Sequence, residues 1–395
     1  MNRPSRSFNH LVIAMIFFGA VLLGHIPALT TSALGLLFRY VIFLGLIVAL
    51  SPVFFKKIHN RVAYIVLCTI LFGVFHALIV TLYENALDIS AMVQFFIPVI
   101  VGVLAGYRLM LIAPVEKLIK LWLALGTIFT VQMICASLFF DFSNVPFILS
   151  ETPQTKYSAV FGAIHRGGRY GSLFSEASYY LQFIMVPFVY SFIYKKYLLF
   201  VVFCIGIMLA GSLTGYAIFS TAMIFLLLNK MQGYFKIKMF GAYFALLLVF
   251  LMVYYTLYLV DQNIIGADKI WSFGTKLLGL NFALEHLIDH PFGIGPTNLN
   301  VMALDLDLNL SSGYIELLVF FGWMAFPLFT PLVPIANALS NNTDKSLFSI
   351  RVGVLCVVLL SFVHGPTFNL FNTMMLSYVF LYRERSGANR CYGYQ

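Results

Sequence analysis

The chain has 395 residues, of which 61% are hydrophobic and 10% charged, with a mean hydropathy of +0.93. Soluble domains carry roughly 45–50% apolar and about 25% charged residues, so a soluble multi-domain enzyme, a disordered chain and a disulfide scaffold are all excluded. The formal charge of +9 would point to nucleic acid in a soluble protein; here Lys and Arg gathering in short loops on one side of a membrane accounts for it, and no nucleic-acid partner is expected.

In chain order, Arg3 and Arg6 precede the first apolar run, as in the basic start of a signal peptide. No small-x-small cleavage site follows, so this run is expected to stay as a helix. Each long apolar run should be helical, because lipid cannot satisfy unpaired backbone groups. Spans are expected at 8–29, 33–55, 62–83, 91–113, 118–140, 177–194, 197–210, 212–228, 239–260, 314–339, 348–364 and 368–382. This is an all-α polytopic fold of about twelve transmembrane helices, with ends placed to within a few residues. Residues 1–395 form a single integral membrane domain.

Lys and Arg fall in alternate loops: Lys56, Lys57 and Arg61, then Lys117 and Lys120, Lys195 and Lys196, Lys230, Lys236 and Lys238, Lys345, and the Arg383–Arg390 tail. By the positive-inside rule these loops and both termini are cytoplasmic. None of these loops approaches the roughly 100 residues of a nucleotide-binding domain. No GxxxxGK[ST] or GxGxxG occurs, so neither ATP hydrolysis nor a cytosolic nucleotide-sugar site is expected. Of the five cysteines, Cys68, Cys135, Cys204 and Cys356 lie in apolar runs and Cys391 in the tail. With no CxxC, they read as packing residues.

Two loops on the other side are long, 141–176 and 261–313. Loops of this length in a compact protein are usually functional or disordered, and their aromatics, glycines and apolar stretches argue against disorder. The first ends His165-Arg166-Gly-Gly-Arg169-Tyr-Gly-Ser-Leu-Phe-Ser-Glu176-Ala-Ser-Tyr179. Guanidinium groups pair bidentately with phosphate oxygens, and glycine allows close backbone approach. Glu176 stands at the membrane boundary, where a carboxylate is costly unless paired or functional. A flexible loop with an interfacial Glu–Arg pair is the plainer alternative.

The second loop carries Lys269 and Lys276, then Glu285-His286-Leu-Ile-Asp-His290-Pro-Phe-Gly-Ile-Gly-Pro296. Leu277, Leu278, Phe282, Leu284 and Leu287 suggest an interfacial amphipathic helix that Pro291 ends. His286 and His290 share one helical face and suit a general base or a diphosphate contact; a helix cap with two interfacial histidines is the alternative. HExxH is absent and no third ligand is evident, so no metal site is expected. Asp305-Leu306-Asp307 resembles a glycosyltransferase DxD, but the soluble domain that motif serves is missing. Arg39, His76, Arg108, Glu316 and His364 fall inside spans, where a charge costs about 2.5–3.5 kcal/mol on insertion scales. Glu316, one turn below the outer surface, is placed to face the same cavity as Glu176.

At these loops the sequence resembles the O-antigen polymerase and ligase superfamily, the Wzy-type polysaccharide polymerases. Arg169-Tyr-Gly-Ser-Leu-Phe-Ser-Glu176-Ala-Ser is similar to the family's Arg-x-x-Gly-x-Phe-x-Glu-Pro-Ser, with Ala177 in place of Pro. His290-Pro-Phe-Gly-Ile-Gly-Pro296-Thr-Asn298 is similar to its His-Pro-x-Gly-x-Gly-x-x-Asn. Ser312-Gly-Tyr-Ile-Glu316-Leu-Leu-Val-Phe-Phe-Gly322 and Gly211-Ser-Leu-Thr-Gly215 match two of its span starts. The resemblance covers 166–322; the first five spans match in hydropathy alone.

The resemblance implies a metal-independent, inverting membrane glycosyltransferase without cofactors. Its donor is a glycan chain on undecaprenyl diphosphate, and its acceptor is one repeat unit on the same carrier. Arg166 and Arg169 would hold the diphosphate, and Glu176, His286 or His290 would be the base. The family's second functional Arg, in the later outer loop, is absent, leaving Lys269 or Lys276 as a point charge. Tyr179 and Glu316 complete the expected substrate-binding set. Expected partners are lipid-linked glycans, the bilayer and a chain-length regulator, in the cytoplasmic membrane of a bacterium. A ligase moving finished glycan onto lipid A core, and a flippase or secondary transporter, are the competing readings.

Overall fold

A computed structural model describes residues 6–25, 33–55, 60–84, 89–139, 155–158, 163–166, 169–172, 177–210, 219, 222, 282–295, 313–329, 345–361 and 369–382. The helices are α1 (Arg6–His25), α2 (Ala33–Phe55), α3 (Asn60–Glu84), α4 (Ile89–Ile112), α5 (Val115–Phe139), α6 (Ala177–Ile193) and α7 (Tyr197–Ala210). A short helix over 282–289, here α8, is followed by α9 (Gly313–Phe321), α10 (Lys345–Ser361) and α11 (Leu370–Leu381). The expected spans 212–228 and 239–260 lie outside the described residues, apart from positions 219 and 222.

Among the described residues, three helical stretches are long and apolar enough to cross a bilayer: Val62–Leu82, Phe95–Ile112 and Val115–Cys135. Leu37, Leu44, Leu71, Leu82 and Leu198 are all exposed. Apolar surface on this scale is a liability in water and is compatible with a helical membrane protein whose surface meets lipid.

The described architecture is helical, with one small addition: within the first long loop β1 (Thr155–Ser158), β2 (Ala163–Arg166) and β3 (Arg169–Ser172) form an antiparallel sheet in the order β1-β2-β3. One expected span is corrected: 314–339 is not one uninterrupted α-helix. It breaks at Gly322, where φ is +55°, and continues as a 3₁₀ helix over Gly322–Phe329.

Two features organise the core. Phe17 of α1, Trp122 of α5, Phe183 of α6 and Phe371 of α11 meet as an aromatic cluster, with Trp122 edge-on to Phe17 at 5.4 Å and to Phe371 at 5.3 Å. Alongside it, Pro187 interrupts α6. Proline has no N–H, so the carbonyl four residues earlier, that of Phe183, loses its helical donor. The Trp122 indole Nε1–H supplies one instead, at 2.8 Å. The second feature is the seam between α4 and α11. Gly102 and Gly106 are spaced as small-xxx-small, which lets helix backbones approach closely. A Cβ on Gly102 would lie 2.8 Å from Thr373 Cβ, and one on Gly106 would lie 2.8 Å from Ser377 Cβ. Asn369 caps α11 by accepting from the Asn372 N–H at 2.7 Å, and the Asn372 amide donates to Gln182 Oε1 at 3.3 Å.

These contacts sort the helix ends. Lys117 Nζ lies 3.4 Å from His10 Nε2, bringing together the starts of α1 and α5. The Tyr194 and Ser346 hydroxyls are 2.7 Å apart, joining the end of α6 to the start of α10 beside Lys195, Lys196 and Lys345. The Tyr378 hydroxyl donates to the Ala113 carbonyl at 3.3 Å, adding the ends of α4 and α11. At the other end, Tyr180 near the start of α6 meets Thr130 late in α5 at 2.8 Å, against Gly206 late in α7. The sheet packs on α5, α6 and α7, and only 173–176 separate β3 from α6.

Candidate functional site

Two groups of predicted residues have described positions, and they rest on different helices. In the first, Arg166 ends β2, Arg169 begins β3, and the two are register partners. Only Gly167-Gly168 lies between them in the sequence. The register slips once, between Ile164 and His165, and such a bulge twists a hairpin. The chain thus holds two cationic residues opposite each other at one hairpin end, next to the start of α6. Tyr179 is half-buried there and packs against the core. Glu176, Lys269, Lys276, Asp305 and Asp307 lie outside the described residues.

The second group is α8 with the segment that follows it. Ala283 and Leu287, four apart, are buried, and the neighbouring stripe carries His286 and His290, both half-buried. The two imidazoles lie 4.3 Å apart between ring centroids, tilted by 33°, and Phe282 stacks on His286 at 5.3 Å. Helical residues end at 289, before Pro291. The His290 N–H still donates to the His286 carbonyl at 2.7 Å, and the Gly293 N–H donates to His290 at 2.8 Å, closing a turn.

Beyond that turn the segment lies along the end of α9. The last carbonyls of a helix lack internal partners, and breaking α9 at Gly322 exposes such groups. Ile294 N–H donates to the Val319 carbonyl at 3.1 Å, Gly295 N–H to Phe320 at 2.8 Å, and Trp323 N–H returns to the Pro291 carbonyl at 2.9 Å. Glycine is required on both sides of this contact. Gly293 (φ +72°) and Gly322 (φ +55°) adopt a left-handed backbone, and a Cβ on either would lie 2.6 Å from the other's nitrogen. The glycines of the His-Pro-Phe-Gly-Ile-Gly stretch therefore serve backbone-to-backbone docking, a use that the motif alone does not disclose.

The docked segment meets α3 at Val80, beside Gly295, and at His76. The His76 ring nitrogen Nε2 lies 2.9 Å from the Phe292 carbonyl oxygen, 216 residues away in the chain. His76 is fully buried, stacked on Phe72 and edge-on to Phe321 at 4.7 Å. Phe95 and Phe96 of α4 complete the aromatic bed under Phe321. Sequence reasoning flags His76 as a costly group inside a span, but its partner is non-local and carries no sequence signal.

Glu316 sits half-buried in the first turn of α9. Its expected companion, Glu176, lies outside the described residues. Arg108 is half-buried near the end of α4. Arg351 of α10, 6% exposed, is a buried cation that the sequence analysis did not single out. Among the described residues, no group of three or more His, Cys, Asp or Glu gathers as metal ligands would. No protein family, no curated protein and no solved structure matches the chain.

Proposed function

We propose that the chain is a membrane-embedded glycosyltransferase that polymerises lipid-linked oligosaccharide repeat units. The observation that carries the reading is the register pairing of Arg166 with Arg169 across the hairpin beside α6. Two arginines at paired backbone positions bring two guanidinium groups to one hairpin end, and such groups suit a diphosphate, whose developing charge they stabilise as it leaves. In this reaction an acceptor sugar hydroxyl attacks the anomeric carbon of the donor glycan. The bond to the diphosphate breaks, undecaprenyl diphosphate departs, and the hydroxyl proton passes to a base. His286, His290 and Glu176 are the candidates for that base, with Lys269, Lys276, Tyr179 and Glu316 as substrate-binding residues.

The reading includes about twelve spans, cytoplasmic termini and a bacterial cytoplasmic membrane, with chemistry at the outer face. The ends of the helices support that sidedness. Lys117, Lys195, Lys196 and Lys345 share the bundle end opposite the sheet, and cytoplasmic ends are the basic ones. A transporter has one observation in its favour, since broken helices line transport sites. At Gly322, however, the described carbonyls of Val319 and Phe320 take N–H groups from 294 and 295, which leaves them poorly placed to coordinate an ion.

The test is a gel of surface polysaccharide from a strain lacking the gene, complemented with wild type or with Arg169→Ala. The null strain and the variant are both expected to show cores with a single repeat unit, with the variant present in the membrane at normal amount. A full ladder from Arg169→Ala removes the diphosphate role. Bare cores in the null strain, with long chains left on the lipid carrier, would establish a ligase instead.

A further inference from the structure

We propose that His76 is a positioning residue for the His286–His290 pair, acting through the Phe292 carbonyl. The inference rests on the glycosyltransferase reading for what the pair does, but not for how the pair is held.

A carbonyl only accepts, so the 2.9 Å contact makes Nε2 of His76 the protonated nitrogen and fixes the ring's tautomer. His76 is buried at 0% exposure on a helix that is otherwise apolar at this depth. Packing against Phe72 and Phe321 would be served as well by Phe or Leu. Those residues lack the ring nitrogens, the Nε2 donor among them, and inside a bilayer a polar group is retained where it has a use. That donor falls on the turn the histidine pair needs. Phe292 lies within the turn closed by Gly293 N–H on the His290 carbonyl, and His290 N–H closes on His286. Holding the Phe292 oxygen therefore holds the backbone of His290, whose ring rests 4.3 Å from that of His286. The backbone bonds to Val319 and Phe320 fix the segment to α9. His76 fixes it to α3, so the pair stands at a set place relative to two helices rather than one.

The test uses full-length protein in membranes of the complemented null strain. Ile294→Cys is the reporter, since Ile294 is half-buried against Ala283 and Val319. Maleimide labelling of the introduced thiol is read by peptide mapping, so the native cysteines can stay. His76→Phe keeps the ring contacts and removes the donor. It is expected to raise labelling at position 294 about fivefold or more, as the loss of a buried hydrogen bond shifts the docked population, and to shorten or abolish the ladder. His76→Gln, which restores an N–H at similar reach, is expected to bring both readouts back towards wild type. His76→Leu replaces the Phe variant if the latter fails to accumulate.

Unchanged labelling in the donor-less variant overturns the proposal, and so does a Gln variant that behaves like Phe, because packing would then be the whole role. Raised labelling with a full ladder also overturns it, since the position of the pair would not matter to extension. A full ladder in the strain lacking the gene removes the polymerase reading instead, and the labelling alone then decides whether His76 holds the segment.

Discussion

A proline inside a buried apolar helix removes a donor where water cannot replace it. The Trp122 indole resolves that deficit for the Phe183 carbonyl, and the pairing makes a residue-scale prediction. Trp122→Phe keeps an aromatic ring beside Phe17 and Phe371 but leaves the carbonyl unpaired, at a cost of about 1–3 kcal/mol. In Pro187→Ala the helix regains its own N–H at position 187, so the indole donor becomes redundant. The double variant should therefore be more stable than the sum of the single changes predicts, with the coupling read from thermal unfolding in detergent as a double-mutant cycle. Strict additivity would show that Trp122 stabilises the core through packing alone. The same residue scale shows what a sequence can disclose. Pro187 is visible as a helix interruption and Trp122 as a large apolar residue, but the bond between them depends on how α5 and α6 pack.

At the scale of elements, the contact between the 291–295 segment and α9 is the most specific pairing near the candidate site. Its glycines are the residues that a motif search finds first, and Gly293 and Gly322 are needed because two backbones meet there. Gly293→Ala would force a side chain into the left-handed region, at about 1–2 kcal/mol, and would press its Cβ against the Phe320 carbonyl. The expected result is an undocked segment, seen as faster proteolysis between α8 and α9 in membranes. Gly322→Ala breaks the same contact from the other side, so the double variant should be little worse than either alone. Independent, additive effects would show that the two glycines serve different contacts. The sequence marks this segment by its Gly spacing and places the end of α8 near Pro291. It does not show that α9 breaks at Gly322, because the break and its partner lie about 30 residues apart and stabilise each other only once folded. The three strands before α6 were hidden for a related reason: each is four residues long, too short for alternation to register.

At the scale of the whole molecule, hydropathy marks the described helices, but it does not reveal which of them touch. The seam between α4 and α11 joins helices more than 250 residues apart through Gly102 and Gly106, and only that two-glycine spacing hints at it beforehand. The contacts gather the starts of α1, α5 and α10 with the ends of α4, α6 and α11, and the lysines follow. If this end is cytoplasmic, the hairpin of Arg166 and Arg169 faces outward, where a lipid-linked donor would present its diphosphate. An epitope inserted between Gly167 and Gly168 should then bind antibody on cells whose outer barrier alone is opened. One inserted at Asn342, just before α10, should bind only after the cytoplasmic membrane is permeabilised. Both epitopes accessible from the same side would break the sided arrangement and remove the outer-face diphosphate site with it. Reversed access would leave the fold intact but put the arginine pair in the cytosol, where a polymerase drawing on outward-facing lipid-linked units would have no substrate.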